Sequence, residues 1–276
     1  IPTRDRLAVL KPCIDSILEK TEYKNFEIII LNNDSVETES LAYFDSLKDI
    51  KSIRIINSSG DFNFSAINNF GVTQAKGSII GLINNDIEVI DGGWLAEMVS
   101  HAIRDDIGCV GAKLLYASGS IQHGGVILGM GGVANHSHLN QPGNTPGYFE
   151  RMRTVHNVSA VTGACLLVRK SLYEEVTGLN EVSLKVAFND VDFCLKVREA
   201  GYRNLFTPFA TLYHYESVSR GQDDTPAKQE RFISEVEYMK NKWSDHLLKD
   251  PYYNVNFDLT PGASSYTLKK FHQCTN

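Results

Sequence analysis

Apolar positions in the first hundred residues switch between two periods. Leu7, Leu10, Ile14, Ile17 and Leu18 recur at helical spacing. Phe26 and the run Ile28-Ile29-Ile30-Leu31 then read as a short strand, closed by the turn formers Asn32-Asn33-Asp34-Ser35. Ile53-Arg54-Ile55-Ile56 repeats the strand signal, a helix is predicted over Ser65–Ala75 with Gly77 as its stop, and Ile79–Ile83 is a third buried strand. Trp94, Leu95, Met98, Val99, Ala102 and Ile103 form the stripe of a further helix. Alternation of this kind predicts an α/β fold, a Rossmann-like and mostly parallel central sheet flanked by helices.

The later pattern is less regular. Residues 107–139 are β-like but rich in glycine, and 140–148 form a loop with two prolines. A strand is predicted over 164–168, a helix over 191–200 before Gly201, and a polar amphipathic helix over 226–243. The tail from Asn254 shows no period. The expected organisation is one domain over 1–220 and a C-terminal helical extension with its tail over 221–276. Ile1-Pro2-Thr3 reads as the end of a strand whose start is missing, so the chain is expected to be a domain cut from a longer protein.

Composition narrows the function. The chain has 276 residues, 42% hydrophobic and 22% charged, with a net charge of −6, which suits a globular domain with a sizeable core. The acidic balance argues against nucleic acid as a partner. No apolar run approaches the roughly 20 residues of a membrane helix. Five scattered cysteines without a Cys-x-x-Cys pair predict a reducing compartment and no disulfide framework.

In open α/β sheets, ligands bind beyond the carboxyl ends of the strands. Polar clusters stand there at Thr3-Arg4-Asp5, Asn32–Ser35, Asn84-Asn85-Asp86-Ile87-Glu88 and Tyr213-His214-Tyr215-Glu216, and Phe188-Asn189-Asp190-Val191-Asp192 opens a helix. Each alone is an ordinary turn or cap. Together they suggest chemistry. Asp86 and Glu88 alternate on one side of an extended segment, and Mg²⁺ or Mn²⁺ takes carboxylate, water and phosphate, with imidazole from His214 acceptable to Mn²⁺. No glycine-rich phosphate loop follows the first strand, so a bound diphosphate calls for a metal. Among the remaining candidates, His136-Ser137-His138 is expected to be a surface loop, Trp94 and Trp243 core, and Arg151 and Arg153 either a phosphate contact or a solvated loop.

The order Pro2-Thr3, Asn32-Asn33-Asp34-Ser35, Asn69-x-Gly71-x-x-x-Ala75-x-Gly77, Asn84-Asn85-Asp86-Ile87-Glu88, Thr162-Gly163-Ala164, Asn189-Asp190-x-Asp192 and His214 resembles the family 2 glycosyltransferases over residues 1 to about 220. The stretch 186–194 is especially similar to bacterial members that build surface polysaccharides, rhamnosyltransferase-like enzymes among them. The resemblance implies a GT-A fold and an inverting, metal-dependent transfer from a nucleotide sugar, a UDP- or dTDP-sugar, to a glycan or lipid-linked acceptor. It implies that Pro2, Thr3, Asn33 and Asp34 hold the nucleobase, Asn85 the ribose, and that Asn69 flanks the nucleotide. Gly163 and Ala164 would line the sugar, Asp86, Glu88 and His214 would hold Mn²⁺ or Mg²⁺, and Asp190 would be the base, with Asp192 structural. It departs from the family in carrying Asn-Asn-Asp-x-Glu for the usual acidic motif and Asn189-Asp190 for a Glu-Asp pair. A cytoplasmic site of action follows, with peripheral association at the inner membrane face compatible. The alternatives are a non-catalytic transferase-like binding module and a sugar-1-phosphate nucleotidyltransferase, the latter disfavoured by Thr3-Arg4-Asp5-Arg6 where a glycine-rich, lysine-containing loop is expected.

Overall fold

The computed structural model describes residues 1–215, 225–260, 262 and 264–269. Glu216, Cys274 and the expected domain boundary at 220 lie outside them.

The chain begins β1 (Pro2–Thr3), α1 (Leu7–Lys20), β2 (Ile28–Asn32), α2 (Thr38–Leu47), β3 (Ile53–Asn57) and α3 (Phe64–Gln74). β1, β2 and β3 form a parallel sheet in that order, with Thr3 beside Asn32 and Asn32 beside Asn57. Their apolar centres pack on α1 and α2 through Leu10, Ile14, Ile17, Ile28, Ile30 and Phe44. The polar row is thereby left at the carboxyl edge. α3 starts with the Asn63 side chain accepting the Ala66 N–H at 3.0 Å and ends at Gln74, before the glycine expected to stop it.

Next come β4 (Ile79–Ile83), β5 (Ile87–Val89), α4 (Trp94–Ala102) and β6 (Ile107–Leu115), followed by the short strands β7 (Ile121–His123), β8 (Val126–Leu128), β9 (Ala134–His136) and β10 (His156–Val158). β11 (Cys165–Arg169), α5 (Lys170–Glu175), α6 (Asn189–Glu199), β12 (Arg203–His214) and α7 (Pro226–Leu248) complete the elements. The larger sheet runs β10-β12-β6-β11-β4, with β5 on β12 and β7 on β6.

The α/β class stands, but the expected mostly parallel order is corrected in its detail. Parallel pairing holds within β1–β3 and between β6 and β12. β11 is antiparallel to both β4 and β6. The reason is the connection. β4 and β6 share a direction and are joined through α4, as a parallel crossover requires. The chain from β6 to β11 contains short strands, turns and two short 3-10 helices but no α-helical crossover, and β11 returns between them in the opposite sense.

Two apolar clusters fill the faces of the sheets. Trp94 and Trp243 are both core residues, as their spacing predicts. The four described cysteines are free and buried, and burial raises the thiol pKa of Cys13 to about 12. The described residues of the tail pack through aromatic contacts, which leave no periodic trace. Tyr266 stacks on Tyr148 at 4.6 Å, and Tyr253 and Phe257 bury against Ile127 and Met130. Among the described residues no helix is long and apolar enough to cross a membrane.

Candidate active site

The carboxyl ends of β1, β2 and β3 make a polar shelf. Asn33 donates its backbone N–H to the Thr3 carbonyl at 2.8 Å. Its side-chain amide donates to the carbonyls of Ser58 (2.8 Å) and Gly60 (2.9 Å). The amide oxygen of Asn33 is buried and has no hydrogen-bond partner. Asp34, in the left-handed region at φ 55, accepts the Gly60 N–H at 2.9 Å. That N–H and the Ser59 hydroxyl hold its pKa below the ordinary aspartate value. Pro2 and Thr3 are buried at the head of this shelf. Thr3 Oγ1 accepts the Asn85 side-chain amide at 3.0 Å, which joins the shelf to the acidic motif.

Asn84-Asn85-Asp86 follows β4 directly. Asp86 is 4% exposed and His214, at the end of β12, is 5% exposed. β5 pairs with β12 so that Ile87 lies beside His214, and the Asp86 carbonyl accepts the Tyr215 N–H at 3.0 Å. This pairing sets Asp86 Oδ1 3.1 Å from His214 Nε2. Asn84 Nδ2 lies 3.3 Å from the same nitrogen. Asn84 Oδ1 is buried without a hydrogen bond, and Asp86 Oδ1 is buried with His214 Nε2 beside it. Partnerless buried oxygens are costly, and an electron-rich cluster of this kind suits a hard cation. Neighbouring ligands of an octahedral ion bound at about 2.1 Å stand about 3 Å apart, close to the Asp86–His214 spacing. The donor set therefore fits Mn²⁺ or Mg²⁺.

Glu88 is placed differently from its expected role. Its carboxylate accepts the Tyr215 hydroxyl at 2.7 Å and stands 3.4 Å from Lys20 Nζ. Among the described residues no group of three acidic, imidazole or thiol side chains closes on one point. Asp86 and His214 are a pair, and Glu88 buttresses β5 against α1 and β12. Asn69 is also corrected. Its amide donates to the Leu179 carbonyl and Glu181 carboxylate and accepts from Tyr173 and the Leu179 N–H, all at 2.6–2.9 Å. With every hydrogen-bonding position used, Asn69 clamps the 179–181 loop and leaves nothing for a nucleotide.

Asp190 lies in the first turn of α6, entered through Phe188 in the left-handed region at φ 59. One carboxylate oxygen accepts the Val191 N–H and the other the Gly163 N–H, each at 2.8 Å. The next residue, Ala164, accepts the Asn84 N–H at 2.9 Å. A single dipeptide, Gly163-Ala164, thus touches both Asp190 and the motif that holds Asp86. A Cβ at position 163 would meet Asp190 Cβ at 3.4 Å, an ordinary contact. Packing alone does not demand glycine there, and its presence keeps free space beside the carboxylate. Asp192 is wholly buried, accepting from Lys242 Nζ and Trp243 Nε1 at 2.8 Å each, so it is structural.

The sequence placed Asn84 and Tyr215 in polar clusters without giving either a role, and Lys20 was passed over. His123 is fully buried. Its Nδ1 lies 2.9 Å from His136 Nδ1, and its Nε2 is a long 3.5 Å from the Thr162 amide. Burial, then His136 and His214, keep its pKa well below the usual imidazole value. His138, expected in a surface loop, is instead buried. Its Nε2 accepts the Tyr148 N–H at 3.0 Å, and its ring packs on Tyr266.

Burial and the nearby Arg151 push the pKa of His138 and of His156 down to about 4. The unfolded chain binds these two protons near pH 6.5 and the folded chain near 4. Stability is therefore complete above pH 6.5 and falls as pH drops through that window, by roughly 1–2 kcal/mol per histidine at pH 5. Urea melts at pH 7.5 and 5.0 should show the lower midpoint at pH 5.0 and lose most of that difference in a His138→Asn/His156→Asn double variant. Equal pH sensitivity in that variant would contradict the assignment.

Residues 1–177 match the glycosyl transferase family 2 profile. The protein named Uncharacterized protein y4gI of Sinorhizobium fredii is 51% identical over 94% of this chain. The O-antigen biosynthesis protein RfbC of Myxococcus xanthus is 35% identical over 94% of it. The chain spans only 29% and 20% of those two proteins. Among solved structures, GalNAc-T7 with UDP, GalNAc and Mn²⁺ superposes with a TM-score of 0.68 at 16% identity, covering 89% of this chain and 48% of that one. The shared architecture is the GT-A fold. The chain belongs to glycosyl transferase family 2.

Proposed function

We propose that this chain transfers a sugar, with inversion, from a nucleoside diphosphate donor to a hydroxyl of a glycan or lipid-linked acceptor in the building of a surface polysaccharide. The observation that carries the reading is the Gly163-Ala164 dipeptide, bonded on one side to Asp190 and on the other to Asn84. An inverting displacement needs a base on one face of the anomeric carbon and charge stabilisation on the other, and this dipeptide spans the gap between them.

The roles follow from the contacts. The partnerless oxygen of Asn33 is an acceptor for an N–H of the base, which the imide of a UDP- or dTDP-sugar supplies and the guanine of a GDP-sugar supplies as well. Pro2 and Thr3 wall the base, Asp34 fixes the shelf through Gly60, and Asn85 faces the ribose. Asp86 and His214 would hold the divalent ion, which when bound supplies Lewis acidity to the departing diphosphate. Asp190 accepts the proton of the attacking hydroxyl, oriented for it by the Gly163 and Val191 amides. Gly163 and Ala164 bound the sugar with little side-chain bulk. RfbC is named for O-antigen biosynthesis, in keeping with this acceptor class and with action at the cytoplasmic face of the membrane.

The test is a panel of UDP-, dTDP- and GDP-sugars with Mn²⁺, read by thermal shift and by slow release of nucleoside diphosphate to water. One donor should raise the melting temperature, since binding to the folded state stabilises it, and its hydrolysis should stop with EDTA. Metal-independent binding of glycans without any response to nucleotide sugars would instead establish a non-catalytic module.

A further inference from the structure

We propose that Glu235, on α7, is a positioning residue for Asp190, acting through the turn of residues 184–190; this rests on the reading of Asp190 as the base. Glu235 is 1% exposed, although it stands in a polar amphipathic helix. Its two carboxylate oxygens accept the N–H groups of Val186 (2.7 Å) and Ala187 (3.2 Å). Arg231, one helical turn earlier, lies 3.4 Å from Oε2 and balances the charge. A carboxylate buried with two backbone donors and a guanidinium is a strong, directional anchor.

What it anchors is the chain leading into Asp190. Asn189 Nδ2 donates to the Val186 carbonyl at 2.9 Å, so the held segment is tied to the residue beside the base. Phe188, between them, takes the left-handed conformation that a bulky residue adopts only when its surroundings impose it. Its ring lies against Phe232, also on α7, at 5.7 Å. From the other side, Ser65 of α3 donates through its N–H and its hydroxyl to the carbonyls of Lys185 and Leu184. Beyond the base, Asp192 is gripped by Lys242 and Trp243 of α7. α7 thus holds the turn on both sides of Asp190, and Glu235 is its contact to the strained part.

A general base must come within about 2.6–3.2 Å of the proton it removes, and a displacement near 1 Å can cost about 10²-fold in rate. Glu235→Ala should lower kcat about 10²-fold, measured as nucleoside diphosphate release from the nucleotide sugar that the panel identifies, with the donor KM within about 2-fold of wild type. Glu235→Gln keeps one acceptor oxygen and should recover most of that loss. Hydrogen exchange should accelerate at the amides of Val186 and Ala187 in Glu235→Ala while the middle of α6 stays protected. Unchanged kcat in a folded Glu235→Ala, a donor KM rising in step with the loss, or unchanged exchange at 186 and 187 would each overturn the proposal. Asp190→Asn is run beside it. An inactive Asp190→Asn with a normal Glu235→Ala overturns this proposal alone, whereas an active Asp190→Asn removes the base and the proposal together.

Discussion

Replacing Asp190 by Asn is expected to lower turnover by about 10²–10⁴-fold, the span that a placed general base contributes, while leaving nucleotide affinity nearly unchanged. The asymmetry comes from the geometry. Asp190 accepts the Gly163 N–H with one oxygen and the Val191 N–H with the other; an asparagine oxygen keeps the bond to Gly163 and gives up the one to Val191, inside the first turn of α6. The tie to Gly163 therefore remains and the shelf of Thr3, Asn33 and Asp34 is untouched. What is lost is the capacity to take a proton. UDP or dTDP titration with Mn²⁺, together with single-turnover release of product, separates the two quantities. Near-normal turnover would remove Asp190 from the chemistry. A matching loss of nucleotide affinity would mean that it binds the donor.

The second large effect is expected at the other end of the dipeptide. Asp86→Ala should abolish the Mn²⁺ dependence of nucleotide binding and lower turnover by at least about 10³-fold, since a Lewis acid on a leaving diphosphate contributes several kcal/mol. His214→Ala should produce the same qualitative change to a smaller degree, because water can take the place of an imidazole in the shell of a hard ion. Glu88→Gln serves as the contrast. Its carboxylate is engaged by Tyr215 and Lys20, so its loss should reduce thermal stability modestly and leave the metal dependence intact. Isothermal titration of Mn²⁺ in the presence of UDP checks all three. An Asp86→Ala protein that binds Mn²⁺ and UDP as wild type does would refute the metal assignment.

Most strands and helices of the first hundred residues were legible because their apolar positions keep a period, and periodicity reports burial; α2 was not, since only Ser40, Phe44 and Leu47 of it are buried. The polar clusters were legible for a related reason: Asn33, Asp86 and His214 each end a buried run, and the ends of sheet strands form one edge. The strand directions were not. β11 carries an apolar run like any buried strand, and nothing in Cys165–Arg169 tells whether its neighbours run with it or against it.

Side-chain roles failed where the decisive neighbour is distant in sequence. Alternation puts Glu88 on the side of Asp86, but Lys20 from α1 and Tyr215 from β12 capture its carboxylate. Asn69 stands in the expected helix and is used up by a loop about 110 residues away. Glu235 was hidden because a charge in a polar helix looks solvated until the turn it holds is folded against it. Lys242 shows the same effect, as it reaches the buried Asp192 from that polar helix.

The account depends on one ion and one carboxylate facing the same bound donor. Anomalous diffraction from crystals grown with UDP and Mn²⁺ tests this most directly. The account predicts a single manganese peak in contact with Asp86 and His214, with the diphosphate running from it toward Gly163 and Asp190. A manganese peak away from that pair, or a nucleotide seated with its diphosphate remote from the Gly163-Ala164 dipeptide, would contradict it.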